Sequence, residues 1–463
     1  MTKQPHDRER TVPVNFQNSG KGRKGQLPRG PHGLTPEEVE ADQRSRLIDA
    51  MVQLVADKGY AAATVGDLID YAEVSRKTFY SHFEDRQALM LASFDAISPA
   101  ILEEIRTAVE IKGGPTRQLE ALMRDLCRIG ETRPGAIALS AIDIAALDPV
   151  GLERREQLMS DCGDLLEECL QANNEGHELP AALTLALAGS AYRTIDARLH
   201  RPQTDLKALG PELARWARSY DPIPEGFAPE APTPQPWACG EGLIGGRAPG
   251  TLTLAPSGYR TPISRQTKSF VHHLNRERIL DAVAQLASEV GYVSLTAQAI
   301  AERADVSERA FLAHFNNKDE AFAAAVEVGH MKAMATVVRA QERASNWQSG
   351  VRDGVYALVE FLASEPYFTR LAFLDAPLAG PQMAELVHEH VAGYTRLLLG
   401  DAPQRRRPPE VAPEAAVHGL FELAFHYAAR HRAAELLGVV REAVYLMLAP
   451  FVGVSEAAEA AAR

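Results

Sequence analysis

The pattern of apolar and polar positions along the chain is that of amphipathic helices. Apolar residues recur at spacings of three, four and seven, as at Leu47, Met51 and Leu54. This spacing places apolar side chains on one face of an α-helix. No sustained alternation of apolar and polar residues, the pattern of a half-buried strand, occurs along the chain. The sequence therefore predicts an all-α protein.

The helical pattern occurs twice, at a constant offset of 232 residues. Gly59 and Tyr60 return as Gly291 and Tyr292, and the pairs at 74–75 and 82–83 return at 306–307 and 314–315. Solenoid repeats have periods of roughly 20–50 residues, so a period of this length indicates two copies of one large module in tandem. A Pro/Gly-rich stretch lies between the copies and is predicted to be a linker.

These observations divide the chain into six predicted segments. Residues 1–40 form a basic disordered arm, 41–90 a first three-helix segment, 91–220 a first helical body, 221–270 the linker, 271–322 a second three-helix segment and 323–463 a second helical body. Residues 1–34 carry seven basic and two acidic residues, a net charge of +5, whereas the rest of the chain carries −17. Such an arm can lie along a polyanion. A solvated tail explains the same charge equally well.

Within the first three-helix segment the pattern predicts helices over residues 44–58, 65–72 and 75–83. Gly59 is placed to end the first helix. Thr64 and Ser75 are the predicted N-caps of the second and third, with Asp67 completing a capping box at Thr64. Two short helices joined by about four residues, after a longer one, describe a helix-turn-helix, whose last helix enters the DNA major groove.

The third helix carries the side chains that such a role requires. Hydrogen-bond donors occupy its polar positions: Arg76, Lys77, Thr78, Tyr80 and Ser81. Phe79 and Phe83 are four residues apart and are predicted to anchor it to the other two helices. Donors on a short rigid helix can contact base edges and phosphates.

Composition and motif searches narrow the function classes. The chain is 46% hydrophobic and 24% charged, with a net charge of −12, which is typical of a soluble globular protein. It has no apolar run of about 18 residues, no apolar segment typical of a secretory signal and four cysteines without CxxC spacing. We therefore expect a cytoplasmic protein that does not enter a membrane. No HExxH or cysteine cluster occurs, and the GxGxxG match at 240–245 lies in the linker. We accordingly expect no metal, no cofactor and no enzymatic activity.

One motif is specific enough to suggest a family. Thr78-Phe79-Tyr80-x-His82-Phe83, with Arg86 beyond it, closely resembles the TetR family of bacterial transcriptional regulators. The resemblance covers residues 44–90 well and 276–322 recognisably. It implies homodimeric repressors with an N-terminal DNA-binding domain and a C-terminal ligand-binding and dimerisation domain of helices. The resemblance and the polar positions of the third helix together give the candidate DNA-binding residues Thr64, Ser75, Arg76, Lys77, Thr78, Tyr80, Ser81, His82 and Arg86. Of these, the resemblance implies that His82 and Arg86 contact phosphates.

The second copy departs further from this pattern than the first. In the first, only Glu73 stands where the family usually has glycine. In the second, Glu308, Ala310 and Leu312 replace Arg76, Thr78 and Tyr80, and residues 276–322 carry a net charge of −3 against −1 for 44–90. The second helix-turn-helix is therefore either a three-helix scaffold or a weak phosphate-binding element. The residues that could make its DNA contacts are Arg309, His314 and Lys318.

The two helical bodies differ in aromatic content. Residues 99–220 hold three aromatic residues and residues 331–463 hold twelve. Because ligand pockets are largely apolar and aromatic, the second body is the better candidate for a hydrophobic small-molecule effector. Phe361, Tyr367 and Phe425 are the candidate pocket residues, although such rings often only fill a core.

The predicted interface helices lie near the end of each body, at 183–199 in the first, and at 417–431 and 436–448 in the second. They predict an intrachain pseudo-dimer or a homodimer. The function that we expect is a ligand-responsive, DNA-binding transcriptional regulator of repressor type that reads double-stranded operator DNA mainly through the first helix-turn-helix. The alternative is a sensor or scaffold of the same fold that acts through protein contacts, with DNA binding weakened or lost.

Overall fold

The fold is known from a computed structural model, which describes residues 35–110, 113–171, 179–201, 205–222, 224, 227, 265–403 and 406–463. All regular secondary structure in these ranges is helical, which confirms the all-α prediction. Most of the predicted arm and linker lies outside the described residues.

The described residues of the first half form nine α-helices. They are α1 Pro36–Ala62, α2 Val65–Ala72, α3 Arg76–His82, α4 Arg86–Val109, α5 Pro115–Thr132, α6 Pro134–Ala141, α7 Val150–Gln171, α8 Ala181–Leu199 and α9 Leu206–Arg218. A 3-10 turn, Asp143–Ala146, joins α6 to α7. Helices α1 to α3 form the first head, and α4 to α9 form the first body.

The second half repeats this order. Its helices are α10 Arg265–Ser294, α11 Ala297–Arg303, α12 Glu308–Leu312, α13 Lys318–Gln341, α14 Trp347–Ser364, α15 Pro366–Arg370, α16 Ala376–Leu378, α17 Pro381–Leu399, α18 Ala412–Ala429, α19 Val440–Val452 and α20 Val454–Ala462. Helices α10 to α15 and α17 to α19 each begin 229 to 234 residues after a helix of the first half. The tandem repeat therefore extends through the bodies, where sequence similarity is weak. Helices α10 to α12 form the second head.

The first helix is longer than the pattern predicted. It begins at Pro36, where Thr35 and Glu38 form a capping box, rather than near Arg44. Residues 36–40 of the predicted arm are therefore helical, because proline at the first helical position and a side-chain cap provide a complete start signal. At Gly59 the helix kinks, with φ 75° and ψ 159°, and helical structure resumes as far as Ala62. Glycine adopts this positive φ without the steric cost that a Cβ atom would add.

The two halves of the chain pack against each other mainly through α8 and α18. The helices approach closely because small residues lie between them: a Cβ on Gly189 would lie 2.2 Å from Cγ of Glu422. Ser190 Oγ donates to the carbonyl of Ala415 at 2.6 Å, and Thr194 Oγ1 lies 2.9 Å from Nδ1 of His418. These helices overlap the interface segments that the sequence indicated at 183–199 and 417–431, and here they pair within one chain.

An ionic cluster lies buried in this interface. Glu422 of α18 is 0% exposed and accepts hydrogen bonds at 2.8 Å from Nη1 and Nη2 of Arg155 in α7. Arg193 Nε of α8 donates to the same carboxylate at 2.7 Å. Burial raises the pKa of Glu422, but the two guanidinium groups outweigh it and lower this pKa to about 2. The first half thus provides both cations and the second half the anion.

One helix among the described residues, α13, has the length and composition of a membrane span, with a mean hydropathy of 1.2 over 18 residues. It packs against α14 and buries Phe322, Val326 and Val337 in the core of the second body. The central helix of a water-soluble domain has the same properties.

Candidate nucleic-acid interface

The short helices of the first head begin where the sequence predicted. Thr64 Oγ1 accepts from the Asp67 amide at 3.1 Å, and Asp67 Oδ2 accepts from the Thr64 amide at 2.8 Å, so the capping box at the start of α2 is complete. Ser75 Oγ accepts from the Thr78 amide at 2.9 Å and caps α3. Thr64 and Ser75 therefore satisfy amide groups that have no partner within their own helices.

An arginine of α1 braces the turn between α2 and α3. Glu73 ends α2 in the left-handed conformation, with φ 51° and ψ 43°, where glycine would be easier to place. Arg46 Nη1 donates to the neighbouring Ala72 carbonyl at 2.7 Å and stabilises the turn. The same arrangement occurs in the second head. Asp305 has a φ of 49°, and Arg278 donates a hydrogen bond to its carbonyl at 3.0 Å. The recurrence of arginine at the same offset was the sequence signal for this role.

Two phenylalanines fix the position of α3. Phe79 is 0% exposed and Phe83 is 5% exposed, and the guanidinium of Arg44 lies 4.8 Å from the Phe83 ring centroid. The opposite face of α3 points outwards, with Tyr80 51% exposed and Arg76 and Lys77 also exposed. Neither cation forms an ion pair with any residue that the structure describes. The helix therefore presents two unengaged charges and a phenol on a rigid support.

The remaining polar residues of α3 have local partners. Ser81 is exposed and its Oγ donates to the Thr78 carbonyl at 2.7 Å. Thr78 Oγ1 lies 2.8 Å from Ser75 Oγ. Both hydroxyl groups can exchange these bonds for bonds to a ligand, because their hydrogens rotate freely.

His82 and Arg86, which the family resemblance implies are phosphate contacts, are half-buried and have protein partners in this structure. His82 Nε2 lies 3.1 Å from Oε1 of Gln43, and burial lowers the pKa of His82, which favours the neutral ring. Arg86 donates to the carbonyl groups of Tyr60 and Ala63 at the end of α1 and lies 4.2 Å from the Tyr60 ring centroid. The predicted clamp thus holds the last turn of α1, whose carbonyl groups lack helical partners.

The second head has the same scaffold and a different surface. Lys318 takes the place of Arg86, donating to the Tyr292 carbonyl at 3.1 Å and lying 4.6 Å from the Tyr292 ring centroid. His314 is half-buried beside Phe315. On the outward face Arg309 is exposed, but Glu308 adjoins it and Leu312, 54% exposed, stands in the place of Tyr80. This surface has fewer donors and one cation fewer than α3.

The heads correspond to a known family. The sequence model of the protein family described as bacterial regulatory proteins, tetR family, matches residues 47–93 and 279–325 of this chain. This chain carries two TetR-family segments in tandem.

Two curated relatives cover the chain only in part. An uncharacterised HTH-type transcriptional regulator, YerO, of Bacillus subtilis (strain 168) is 25% identical over 79 residues, or 17% of this chain and 27% of the relative. The HTH-type transcriptional regulator BetI of Rhizobium meliloti (strain 1021) is 23% identical over 100 residues, or 22% of this chain and 49% of the relative. The chain thus spans about a quarter and about half of the length of these two relatives.

Solved structures also overlap this chain. The regulator FadR from Bacillus subtilis in complex with stearoyl-CoA is 16% identical, with a TM-score of 0.33 over 38% of this chain and 97% of that chain. A TetR family regulator from Marinobacter aquaeolei VT8 is 23% identical, with a TM-score of 0.32 over 38% and 96%. These scores are too low to carry an argument about function, so the assignment rests on the two matched segments.

The predicted pocket residues of the second body lie in separate surroundings. Phe361 is half-buried against Phe368, with ring centroids 5.8 Å apart. Tyr367 is 48% exposed. Phe425 is buried beneath Arg155, whose guanidinium lies 4.1 Å from its ring centroid. The three rings therefore do not lie together: Phe361 of α14 packs against α15, Tyr367 is largely exposed, and Phe425 of α18 lies at the interface between the halves. Their role as ligand contacts stays a prediction.

A cleft of about 920 Å³ lies instead between α7, α8 and the end of α18. Its lining includes the apolar residues Met159, Leu179, Ala181, Ala182 and Leu185, the acidic residues Glu153, Glu156, Asp164, Glu167 and Glu168, and His426, Tyr427 and Arg430 from the second half. Arg430 is paired with Glu156 at 2.5 Å. The cleft is formed mostly by the first body, and its net charge is negative.

Proposed function

We propose that this protein is a cytoplasmic transcriptional regulator of repressor type that binds double-stranded operator DNA through the first head. The observation that carries the proposal is the outer face of α3. Arg76, Lys77 and Tyr80 project from a helix fixed by buried phenylalanines, and the two cations have no ionic partner among the described residues. Cations and hydroxyl groups presented in this way bind phosphates and base edges.

The two heads contribute unequally to this proposed binding. The second presents Glu308 and Leu312 where the first presents Arg76 and Tyr80. A carboxylate repels phosphate, and an exposed leucine offers no hydrogen bond to a base. We therefore infer that the first head supplies the sequence specificity. The alternative function, a sensor or scaffold that does not bind DNA, does not explain why α3 presents two exposed cations.

The pairing of the halves bears on the shape of the operator. Because α8 and α18 contact each other within one chain, a single chain already brings two heads to one bundle. Equal heads of a symmetric dimer would read a palindrome. Unequal heads favour an asymmetric operator, with one well-specified half-site and one tolerant half-site. The alternative is that two chains pair, so that their two first heads both read the operator and restore a palindrome.

Mapping of bound DNA across the genome, followed by gel-shift titration of the strongest site, tests the proposal. Lys77→Ala and Tyr80→Ala should each weaken binding by about 1–3 kcal/mol, and Lys77→Ala should also reduce the salt dependence, as expected for a lost phosphate contact. Arg309→Ala, the matched change in the second head, should have a smaller effect. Lys207→Ala, at the start of α9, is the control. Equal losses from both heads would contradict the inequality, and no bound DNA would favour the scaffold alternative.

The cleft between α7, α8 and α18 supports a response to a small molecule. We propose an effector that is amphipathic and cationic rather than only hydrophobic, since acidic and apolar residues line the cleft together. Tetraphenylphosphonium and tetraphenylborate, of similar shape and opposite charge, provide a matched pair of probes. The cation should bind more tightly, and Asp164→Asn should reduce its binding. Preference for the anion would refute a cationic effector.

A further inference from the structure

Three metal-ligating side chains from distant parts of the sequence meet where the two halves join. Asp196 lies on α8, His200 follows the end of that helix, and His388 lies on α17 of the second half. One carboxylate oxygen and two imidazole nitrogens lie within 4.8 Å of one another. The two imidazole ring centroids are 5.6 Å apart. Sequence spacing could not reveal this group, because His200 and His388 are separated by 188 residues.

We propose that Asp196, His200 and His388 bind a divalent transition metal ion of the zinc type. Two imidazoles and one carboxylate form a set of three protein ligands that zinc accepts, with a fourth position open to water or another ligand. Magnesium and calcium prefer oxygen ligands, so two imidazoles favour zinc, cobalt or nickel over them. The proposal does not depend on whether the heads bind DNA.

The hydrogen bonding of His200 orients it for this role. Its Nδ1 lies 2.9 Å from the backbone carbonyl of Asp196, to which an Nδ1–H group donates. That bond leaves the lone pair on Nε2, the atom then available to a metal. Metal-binding histidines in proteins are commonly oriented in this manner by a carbonyl or carboxylate partner.

Charges of both signs surround the three side chains. Asp196 and the neighbouring Asp143 are buried carboxyl groups, 5% and 8% exposed, whose negative charge a divalent ion would offset. Of the nearby cations, Arg193 interacts with Asp196 but is bound to Glu422 at 2.7 Å. The opposing charge of Arg201 is offset by Glu414, 2.7 Å away.

The ligands need only a small adjustment to close around an ion. Ligand atoms about 2.0–2.2 Å from a tetrahedral zinc are about 3.3–3.6 Å apart. The three atoms lie within 4.8 Å of one another, so the distances between them need to shorten by at most about 1.5 Å. His200 is exposed, which leaves its side chain room to move and gives an ion access from solvent. Asp196, 5% exposed, provides the fixed side of the site.

The location gives the site a structural consequence. A bound ion would link α8 of the first half to α17 of the second. It would also lie beside Asp143, whose Oδ1 accepts a hydrogen bond from the Tyr60 amide at 2.7 Å. Tyr60 follows the kink in α1, so the ion would bind next to the contact that joins the first head to its body.

Cobalt titration of the full chain, without an affinity tag and after treatment with a chelator, tests the proposal. Wild type should develop the visible absorption of Co²⁺ with nitrogen and oxygen ligands at one ion per chain. His388→Ala and His200→Ala should each remove that site. Loss of a residue that only orients a ligand weakens metal affinity about 10–100-fold, so loss of a ligand should weaken it by at least about 100-fold. His273→Ala, an exposed histidine in α10, should bind as wild type does.

A second measurement separates metal binding from misfolding. Zn²⁺ should raise the melting temperature of wild type and of His273→Ala, but not that of His200→Ala, whose exposed side chain can be lost without disturbing the core. Circular dichroism without metal would verify that each variant folds. Anomalous diffraction from a zinc-soaked crystal should place the ion between His200 and His388. Equal affinity in wild type and both histidine variants, an ion elsewhere, or sulfur-to-cobalt charge-transfer absorption would overturn the proposal.

Discussion

Removal of the Glu422 side chain should test whether the ionic cluster holds the two halves together. In the Glu422→Ala variant, Arg155 and Arg193 would remain buried without their shared carboxylate. Arg155 is 2% exposed and Arg193 is 9% exposed, so solvent cannot replace the lost partner without opening the interface. The Phe425 ring, 4.1 Å and 5.2 Å from the two guanidinium carbons, would compensate only in part.

The expected cost follows from this burial. Removing one partner of a buried ion pair typically destabilises a protein by about 3–5 kcal/mol, because a buried charge is left uncompensated. In this cluster two cations lose one anion, so we expect at least about 3 kcal/mol. Because each 1.4 kcal/mol is a factor of ten, the unfolding equilibrium constant should rise more than about 100-fold.

Urea unfolding, followed by tryptophan fluorescence and by circular dichroism, would measure the effect. The matched control is Glu435→Ala, which removes a pair with Arg432 in which both side chains are 50% exposed. Exposed pairs contribute about 0–1 kcal/mol, so the control should differ little from wild type. A separation of the fluorescence and dichroism transitions in the Glu422 variant alone would show that it no longer unfolds in one cooperative transition, as expected if the halves unfold independently. Equal, small effects of the two substitutions would refute the structural role of the cluster.

Two further predictions concern neighbouring contacts. Burial raises the pKa of Asp143 to about 7. The folded state therefore binds this proton more tightly than the unfolded state does. The contribution of Asp143 to the free energy of unfolding accordingly falls as the pH rises from about 4 to about 7. The Asp143→Asn variant keeps an oxygen that can accept a hydrogen bond from the Tyr60 amide but carries no titrating group. Its urea midpoint minus that of wild type should therefore increase as the pH rises through this range. A difference that does not change with pH would contradict the raised pKa of Asp143. Gly189→Ala places a Cβ 2.2 Å from Cγ of Glu422 and should destabilise the interface by about 1–3 kcal/mol. Gly66→Ala is the control in the same urea experiment. The nearest atom to its added Cβ is 3.4 Å away, so this substitution should cost less.

The sequence by itself determined the local architecture of each head. The N-caps Thr64 and Ser75 and the bounds of α2 agree with prediction, and α3 lies within one residue of it at each end, because each depends on residues within about four positions along the chain. The anchoring of α3 by Phe79 and Phe83 was predictable for the same reason, since their spacing places both on one helical face. The tandem organisation was equally visible, as it needs only a comparison of the chain with itself.

Tertiary structure decided which of the polar residues face solvent and which face each other. The family resemblance implies that Arg86 contacts phosphate, yet in this structure its guanidinium binds the carbonyl groups at the end of α1, because the fold places that helix end beside it. Glu422 and Arg155 are 267 residues apart. His388 and Asp196 likewise come from different halves. Along the chain each of these charged or imidazole groups looks like an ordinary polar residue, since a lone ionisable side chain carries no information about a distant partner. Only the packing of α8 against the second half brings such partners together and removes the water between them.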